Sequence, residues 1–210
     1  MSLDYWHKAK AHLSTKDTVL KKIIAGYEGE MLTPKGDAFG TLARAIVGQQ
    51  ISVKAADTVW GRFAQLAVGS GQLTVRPAVI LTFSDADLRA CGLSSQKVTY
   101  LRALAEYFAS NPKIIAAWPE MSDDELLASI TSIKGIGVWT AEMFMIFHLG
   151  RPDIFPIKDI GVQKAMSRHY HNSDKVPLSE LTARAEDWRP YRSVATWYLW
   201  RSLDPVPVAY

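Results

Sequence analysis

Apolar residues recur at helical spacing along almost the whole of this chain, and that feature excludes most folds. Phe39, Leu42, Ala43 and Ile46 fall at i, i+3, i+4 and i+7, and Val98, Leu101, Leu104, Ala105 and Phe108 form a second stripe. The strict alternation of a half-buried strand is nearly absent. The apolar stretch 75–83 fits a helix or a strand, and Pro77 within it counts against a central strand. Cap residues open several segments: Ser84 before Asp85, Ser95 before Gln96, Ser122 before Asp123. The pattern predicts an all-α fold of roughly ten to twelve short helices, without repeats or low-complexity segments.

A chain of 210 residues, 48% of them hydrophobic, has the material for one large domain or for two lobes sharing a core. One break stands out. Residues 149–156 carry Gly150, Pro152 and Pro156, which must interrupt the helical pattern, and a polar residue, Asp159, follows at a plausible helix start. The net charge of +3 permits nucleic-acid binding without arguing for it. The single cysteine, Cys91, makes no internal disulfide and excludes an all-cysteine zinc site or iron–sulfur cluster, so a reducing, intracellular setting is expected. The first residues carry no long apolar run, so neither a signal peptide nor a membrane span is expected there. Seven tryptophans are many for this length; most belong in a core, and some can line a pocket. His169 and His171 lie on different faces of a helix and lack a ligand partner at metal spacing, which argues against a transition-metal site.

The richest segment is 126–162. Ile133-Lys134-Gly135-Ile136-Gly137 sits between an amphipathic helix with Leu126, Leu127 and Ile130 and an apolar one with Ala141, Phe144 and Met145. Two glycines so spaced make a tight turn and let backbone approach a ligand closely. The unpaired N–H groups at the start of the second helix suit a DNA phosphate, held without reading sequence. A plain glycine turn between packed helices accounts for Gly-x-Gly equally well. Asp159 is likewise open to two readings, helix cap or catalytic carboxylate.

The wider arrangement is more specific. Gly135-Ile136-Gly137-Val138-Trp139-Thr140-Ala141, an apolar helix, then Phe155-Pro156-x-x-Asp159, resembles the helix–hairpin–helix and Gly/Pro-loop-aspartate signature of base-excision DNA glycosylases. Three further stretches match in the family's order: Leu42 to Ser52, Gly92 to Lys97, and Trp188 to Ser193 followed by Ala195 and Trp200. Together they resemble the 3-methyladenine DNA glycosylase II branch over residues 36–204.

The resemblance implies two helical lobes with the helix–hairpin–helix beside an active-site cleft. The central lobe would run over 36–150; residues 1–35 and 151–210 would form the other and carry Asp159. The implied activity is hydrolytic removal of alkylated bases, such as 3-methyladenine and 7-methylguanine, from duplex DNA. Positive charge builds on the sugar as the base departs, and an aspartate stabilises it or aligns the attacking water. A helix N-terminus favours the ionised carboxylate this role requires. Bifunctional relatives place a lysine nucleophile two residues after the second hairpin glycine; that position here is Trp139, which implies a monofunctional enzyme. Lys158, beside Asp159, departs from relatives that carry an acidic or neutral residue there.

Other roles follow from the same resemblance. Trp139 and Trp200 match pocket tryptophans that stack on a cationic base, against the alternative that both are core residues. Gly135, Gly137, Thr140, Gln49 and Gln50 match DNA contacts. Leu93 matches the wedge that fills the gap left by a flipped base, against the alternative of a hydrophobic contact after Gly92. The backbone carbonyls of Thr131, Ile133 and Ile136 match those that hold a monovalent cation, Na+ or K+. No cofactor is required and no iron–sulfur cluster is implied. The implied partner of a monomeric protein is damaged double-stranded DNA, with no membrane role, in the nucleoid-bearing cytoplasm of a bacterium or the nucleus of a eukaryote. Three alternatives remain at this level: a glycosylase for another lesion, a bifunctional glycosylase-lyase, and a non-catalytic helix–hairpin–helix module that only binds DNA.

Overall fold

The computed structural model describes residues 3–34, 36–69, 75–174 and 176–203, with backbone only at 68 and 69. They fall into two compact units, 36–144 in one and 3–34 with 145–203 in the other. Among the described residues, thirteen α-helices and two short 3-10 turns, Trp118–Glu120 and Glu186–Trp188, account for the regular structure, and no strand occurs. The helices outnumber the expected ten to twelve because three of them are only six residues long: Pro77–Thr82, Asp85–Ala90 and Pro112–Ala117. Pro77 and Pro112 each begin a helix, where the missing N–H costs nothing. The ambiguous stretch 75–83 is therefore largely helical.

The first unit opens with α1 (Trp6–Lys16) and α2 (Thr18–Gly26). Asp17 divides them: its Oδ1 accepts from the N–H groups of Val19 and Leu20 and caps α2, while its Oδ2 accepts from Tyr170 Oη at 2.9 Å and Trp188 Nε1 at 3.0 Å. A carboxylate this deeply buried is tolerable only when bonded in this way. Burial first, then the negative charge and hydrogen bond of Asp17, push the Tyr170 hydroxyl well above the ordinary tyrosine range.

The second unit contains α3 (Ala38–Gly48), α4 (Val53–Gly69), α5 (Pro77–Thr82), α6 (Asp85–Ala90), α7 (Ser95–Ser110), α8 (Pro112–Ala117), α9 (Asp123–Thr131) and most of α10 (Val138–Phe147). Both stripes read from the sequence point inward: α3 buries Phe39, Leu42, Ala43, Ile46 and Val47, and α7 buries Val98, Leu101, Leu104 and Ala105. A ring series, Phe39–Phe108–Trp118–Phe144, joins α3, α7 and α10 edge-to-face at 5.2–5.6 Å. Ser84 and Ser122 form capping boxes with Asp87 and Glu125. The cap of α7 is Ser94 rather than the expected Ser95, because Ser94 holds the extended backbone from which its Oγ reaches Lys97 N–H.

The chain then returns to the first unit through a loop and α11 (Ile160–Tyr170), α12 (Leu178–Ala185) and α13 (Arg192–Leu203). α13 is buried nearly all round, packed against α1, α2 and α11. Four of the seven tryptophans, Trp6, Trp118, Trp188 and Trp197, are core residues; Trp139 and Trp200 are not. No helix among the described residues is long and apolar enough to cross a membrane.

Candidate active site

The hairpin lies in the second unit. Ile133 and Ile136 are buried and anchor it, and Ile136 N–H closes the turn on the Ile133 carbonyl at 3.0 Å. Between them Gly135 adopts φ +94°, a left-handed conformation that L side chains rarely adopt. A Cβ at Gly135 would fall 2.3 Å from the Tyr100 ring, so the glycine also makes room for α7. Gly137 is different: it is exposed, and a Cβ there would meet nothing within 4 Å. The outer surface is formed by Lys134, Gly137, Val138 and Trp139, all exposed. It presents a cation, an unencumbered glycine, the start of a ten-residue helix and an indole 39% exposed. Such a surface can take an anion on backbone N–H groups and an aromatic partner on the indole.

Three of the expected DNA contacts are held within the packing. Thr140 is buried, so its side chain has no access to a ligand. Gln49 donates its Nε2 to the Gly135 carbonyl at 2.9 Å, so it ties the end of α3 to the hairpin. Leu93 is only 4% exposed, as the alternative of a hydrophobic contact after Gly92 expects. Leu93→Ala should accordingly destabilise the protein by about 2–5 kcal/mol, the cost of emptying a buried leucine site. Denaturant melts measure this, and the folded fraction should keep its activity.

What does project is the segment after α3. Gln50 is exposed in the left-handed region at φ +57°, and Ile51 and Val53 are 39% and 80% exposed. The sequence signature contained Gln50 and Ile51, but periodicity cannot tell a buried apolar residue from one held out on a turn. This segment is anchored from behind as well. Lys97 donates its ammonium to the Val47 carbonyl at 2.7 Å, and burial holds that ammonium below the ordinary lysine range.

Asp159 lies in the first unit as the N-cap of α11. Val162 N–H and Trp200 Nε1–H both donate to its Oδ1, each at 2.8 Å. Asp159 N–H reaches the Pro156 carbonyl, and Gln163 Nε2 donates to the Ile157 carbonyl, so the approach to the helix is fixed on both sides. Trp200 is half-buried and stacks on Phe147, ring centroids 5.5 Å apart and 19° from parallel. The cap reading of Asp159 is therefore correct as geometry, and it is compatible with chemistry at the same carboxylate. Lys158 is exposed.

The loop that delivers Asp159 is clamped by the fourth signature. Arg192 binds Asp153 in bidentate fashion, Nε to Oδ1 at 2.8 Å and Nη2 to Oδ2 at 3.0 Å, and Arg189 adds a contact to Oδ2 at 2.6 Å. Ser193 N–H donates to the Pro152 carbonyl, and Ser193 Oγ accepts from Ile154 N–H. Matched charge and fork geometry make this a rigid attachment. Arg192 and Asp153 lie 39 residues apart in sequence, so spacing alone could not pair them.

Among the described residues no three His, Cys, Asp or Glu side chains gather where they could hold a metal ion. His169 Nε2 pairs with Ser202 Oγ at 2.8 Å, and burial followed by the Arg168 charge lowers its pKa. His171 faces Glu180 at 3.7 Å.

Residues 43–190 match the family model described as HhH-GPD superfamily base excision DNA repair protein. DNA-3-methyladenine glycosylase 1 of Schizosaccharomyces pombe is 34% identical over 202 residues, covering 93% of this chain and 86% of that one. The crystal structure of a DNA-3-methyladenine glycosidase from Bacillus halodurans superposes with a TM-score of 0.82 at 34% identity, over 92% of this chain and 87% of that one. The S. pombe 3-methyladenine DNA glycosylase solved in complex with abasic DNA gives a TM-score of 0.79 at 32% identity, over 93% and 96% of the two chains.

Proposed function

The chain belongs to the HhH-GPD superfamily of base excision DNA repair proteins, and we propose that it acts on duplex DNA as a monofunctional glycosylase releasing alkylated bases such as 3-methyladenine and 7-methylguanine. The observation that carries the chemistry is the fixed Asp159 carboxylate, capped into α11 and held on Oδ1 by two N–H donors. The relatives' activity, shared over most of both chains, supports the substrate class.

An alkylated purine of this kind is cationic, and its N-glycosidic bond is already weakened. As that bond breaks, the electron pair goes to the base, which leaves neutral, and positive charge spreads over C1′ and the ring oxygen. Asp159 stabilises that charge electrostatically. Water then bonds to C1′ and loses a proton to solvent, leaving an abasic site with the strand intact. No amine is needed. Trp139 stands where bifunctional relatives place their lysine, and Lys158 is exposed beside the carboxylate. Trp139 and Trp200 are each proposed as an aromatic contact for a base, and cation–π attraction to such a ring favours the charged lesion by about 1–2 kcal/mol where it is desolvated. Electrostatics of this sort do not distinguish 3-methyladenine from other cationic bases.

The hairpin is the proposed anchor on phosphate. A Na+ or K+ ion there would add positive charge toward the DNA. The Ile133 carbonyl has already accepted Ile136 N–H and, having two lone pairs, remains a fitting ligand; the carbonyls of Thr131 and Ile136 are the other candidates. A DNA substrate places the enzyme in the compartment that holds the genome, and we take the working form to be a monomer.

Because Gly137 has open space around it, Gly137→Phe should keep the melting temperature while weakening binding to damaged, abasic and undamaged duplexes alike. Parent binding should fall steeply with salt and show little sequence preference. Unchanged affinity in filter binding or anisotropy would remove the hairpin from the DNA contact. The activity itself is tested by mass spectrometry of bases released from methylated duplex DNA, with borohydride trapping to detect any Schiff base.

A further inference from the structure

We infer that Trp200 is a positioning residue for the catalytic carboxylate, acting through its indole N–H, and that Gly161 exists to let that contact form. The inference rests on the assignment of Asp159 as catalytic. A tryptophan that only stacks on a base has no need to place its Nε1 against a carboxylate, yet Nε1 lies 2.8 Å from Asp159 Oδ1. Its plane is set from behind by Phe147, so the ring is not free to choose another partner by rotating. The approach crosses the first turn of α11 at Gly161. A Cβ there would lie 3.0 Å from Asp159 Oδ1, 3.1 Å from Trp200 Cδ1 and 3.2 Å from Trp200 Nε1, against all three atoms at or near the hydrogen bond. Gly161 has no left-handed φ to require a glycine, and glycine is unfavourable within a helix, so the missing Cβ answers to this contact.

The two donors on Oδ1 differ in what they fix. Val162 N–H is the ordinary cap contact and holds the oxygen to the helix axis. The indole adds a second direction, which stops the carboxyl plane from turning about that first bond. A catalytic group displaced by a fraction of an ångström loses much of its effect, so orientation carries rate. Trp200 and Asp159 are 41 residues apart, on α13 and at the head of α11, and both lie in the same compact unit.

Trp200→Phe keeps a ring against Phe147 and deletes the donor. Single-turnover release of 7-methylguanine should slow about 10–100-fold, the range for a hydrogen bond to a charged group, with affinity for abasic duplex and melting temperature unchanged. Gly161→Ala should slow release in the same way while raising helix propensity, and it carries the test if Trp200→Phe does not fold. A spectroscopic readout separates this role from packing. The Trp200 indole 1H–15N resonance, identified by its loss in Trp200→Phe or by selective labelling, should move in both Gly161→Ala and Asp159→Ala. A normal rate in Trp200→Phe, or an indole signal indifferent to Asp159→Ala, overturns the inference. A normal rate in Asp159→Asn overturns instead the catalytic reading beneath it, whatever the indole signal does.

Discussion

Replacing Asp159 by asparagine should lower single-turnover base release by about 10²–10³-fold or more, with damaged-duplex affinity and melting temperature nearly unchanged. The substitution keeps shape and removes the negative charge opposite the forming sugar cation. Electrostatic contributions of this type are worth about 3–4 kcal/mol, which sets the magnitude. Stability should hold because asparagine caps helices as well as aspartate does, and its Oδ1 can accept from Val162 N–H and Trp200 Nε1–H as the carboxylate does. The most labile lesions should show the smallest loss, since they need the least help. Near-normal release, with affinity retained, would reduce Asp159 to its role as the cap of α11.

The second large effect is expected at Gly135. Gly135→Ala meets two obstacles at once. The backbone sits at φ +94°, which costs an L residue about 1–2 kcal/mol. The new Cβ would also lie 2.3 Å from Tyr100 Cγ and 2.7 Å from Tyr100 Cβ. Because Tyr100 Cβ is fixed to the backbone of α7, no rotation of the ring relieves the clash. Overpacking of this kind costs about 1–3 kcal/mol more. The variant should therefore lose about 2–5 kcal/mol of stability in denaturant melts. It should also lose DNA affinity, because the Gln49 amide that grips the Gly135 carbonyl would be displaced with the turn. The contrast with Gly137, where there is room, separates the glycine that shapes the hairpin from the one that faces the ligand. A Gly135→Ala protein as stable as its parent would mean that the turn relaxes without cost.

Much of this was legible in the sequence because it is local. Apart from the half-buried Phe108, the i, i+3, i+4 stripes of α3 and α7 are buried where they were expected, since helical period alone decides which face turns inward. The two glycines of the hairpin and the cap at Asp159 are likewise local, each set by a few neighbouring residues. What escaped the sequence depends on contacts across long separations. Leu93 and Ile51 are both apolar residues near turns. Only the packing shows that the first is buried and that the second is held out beside a left-handed Gln50. Gln49 reaches Gly135 across 86 residues, and nothing in a Gln-Gln pair says which amide turns inward. Arg192 looked like part of a motif; its attachment to Asp153 gives that motif a physical purpose, which is to hold the loop that brings Asp159 to the head of α11. Trp200 was readable as a ring and unreadable as a donor, because a hydrogen bond needs a direction that sequence spacing does not contain.

The most direct test is to incubate the purified protein with a duplex carrying a single 7-methylguanine, and to follow both the free base and the strand. The account predicts free 7-methylguanine in the small-molecule fraction, a strand that stays whole until alkali cleaves it at the new abasic site, and no borohydride-trapped adduct. A duplex bound but unchanged would leave a DNA-binding module without catalysis. A strand cut without alkali, with the protein trapped on it by borohydride, would establish an amine nucleophile and contradict the monofunctional mechanism.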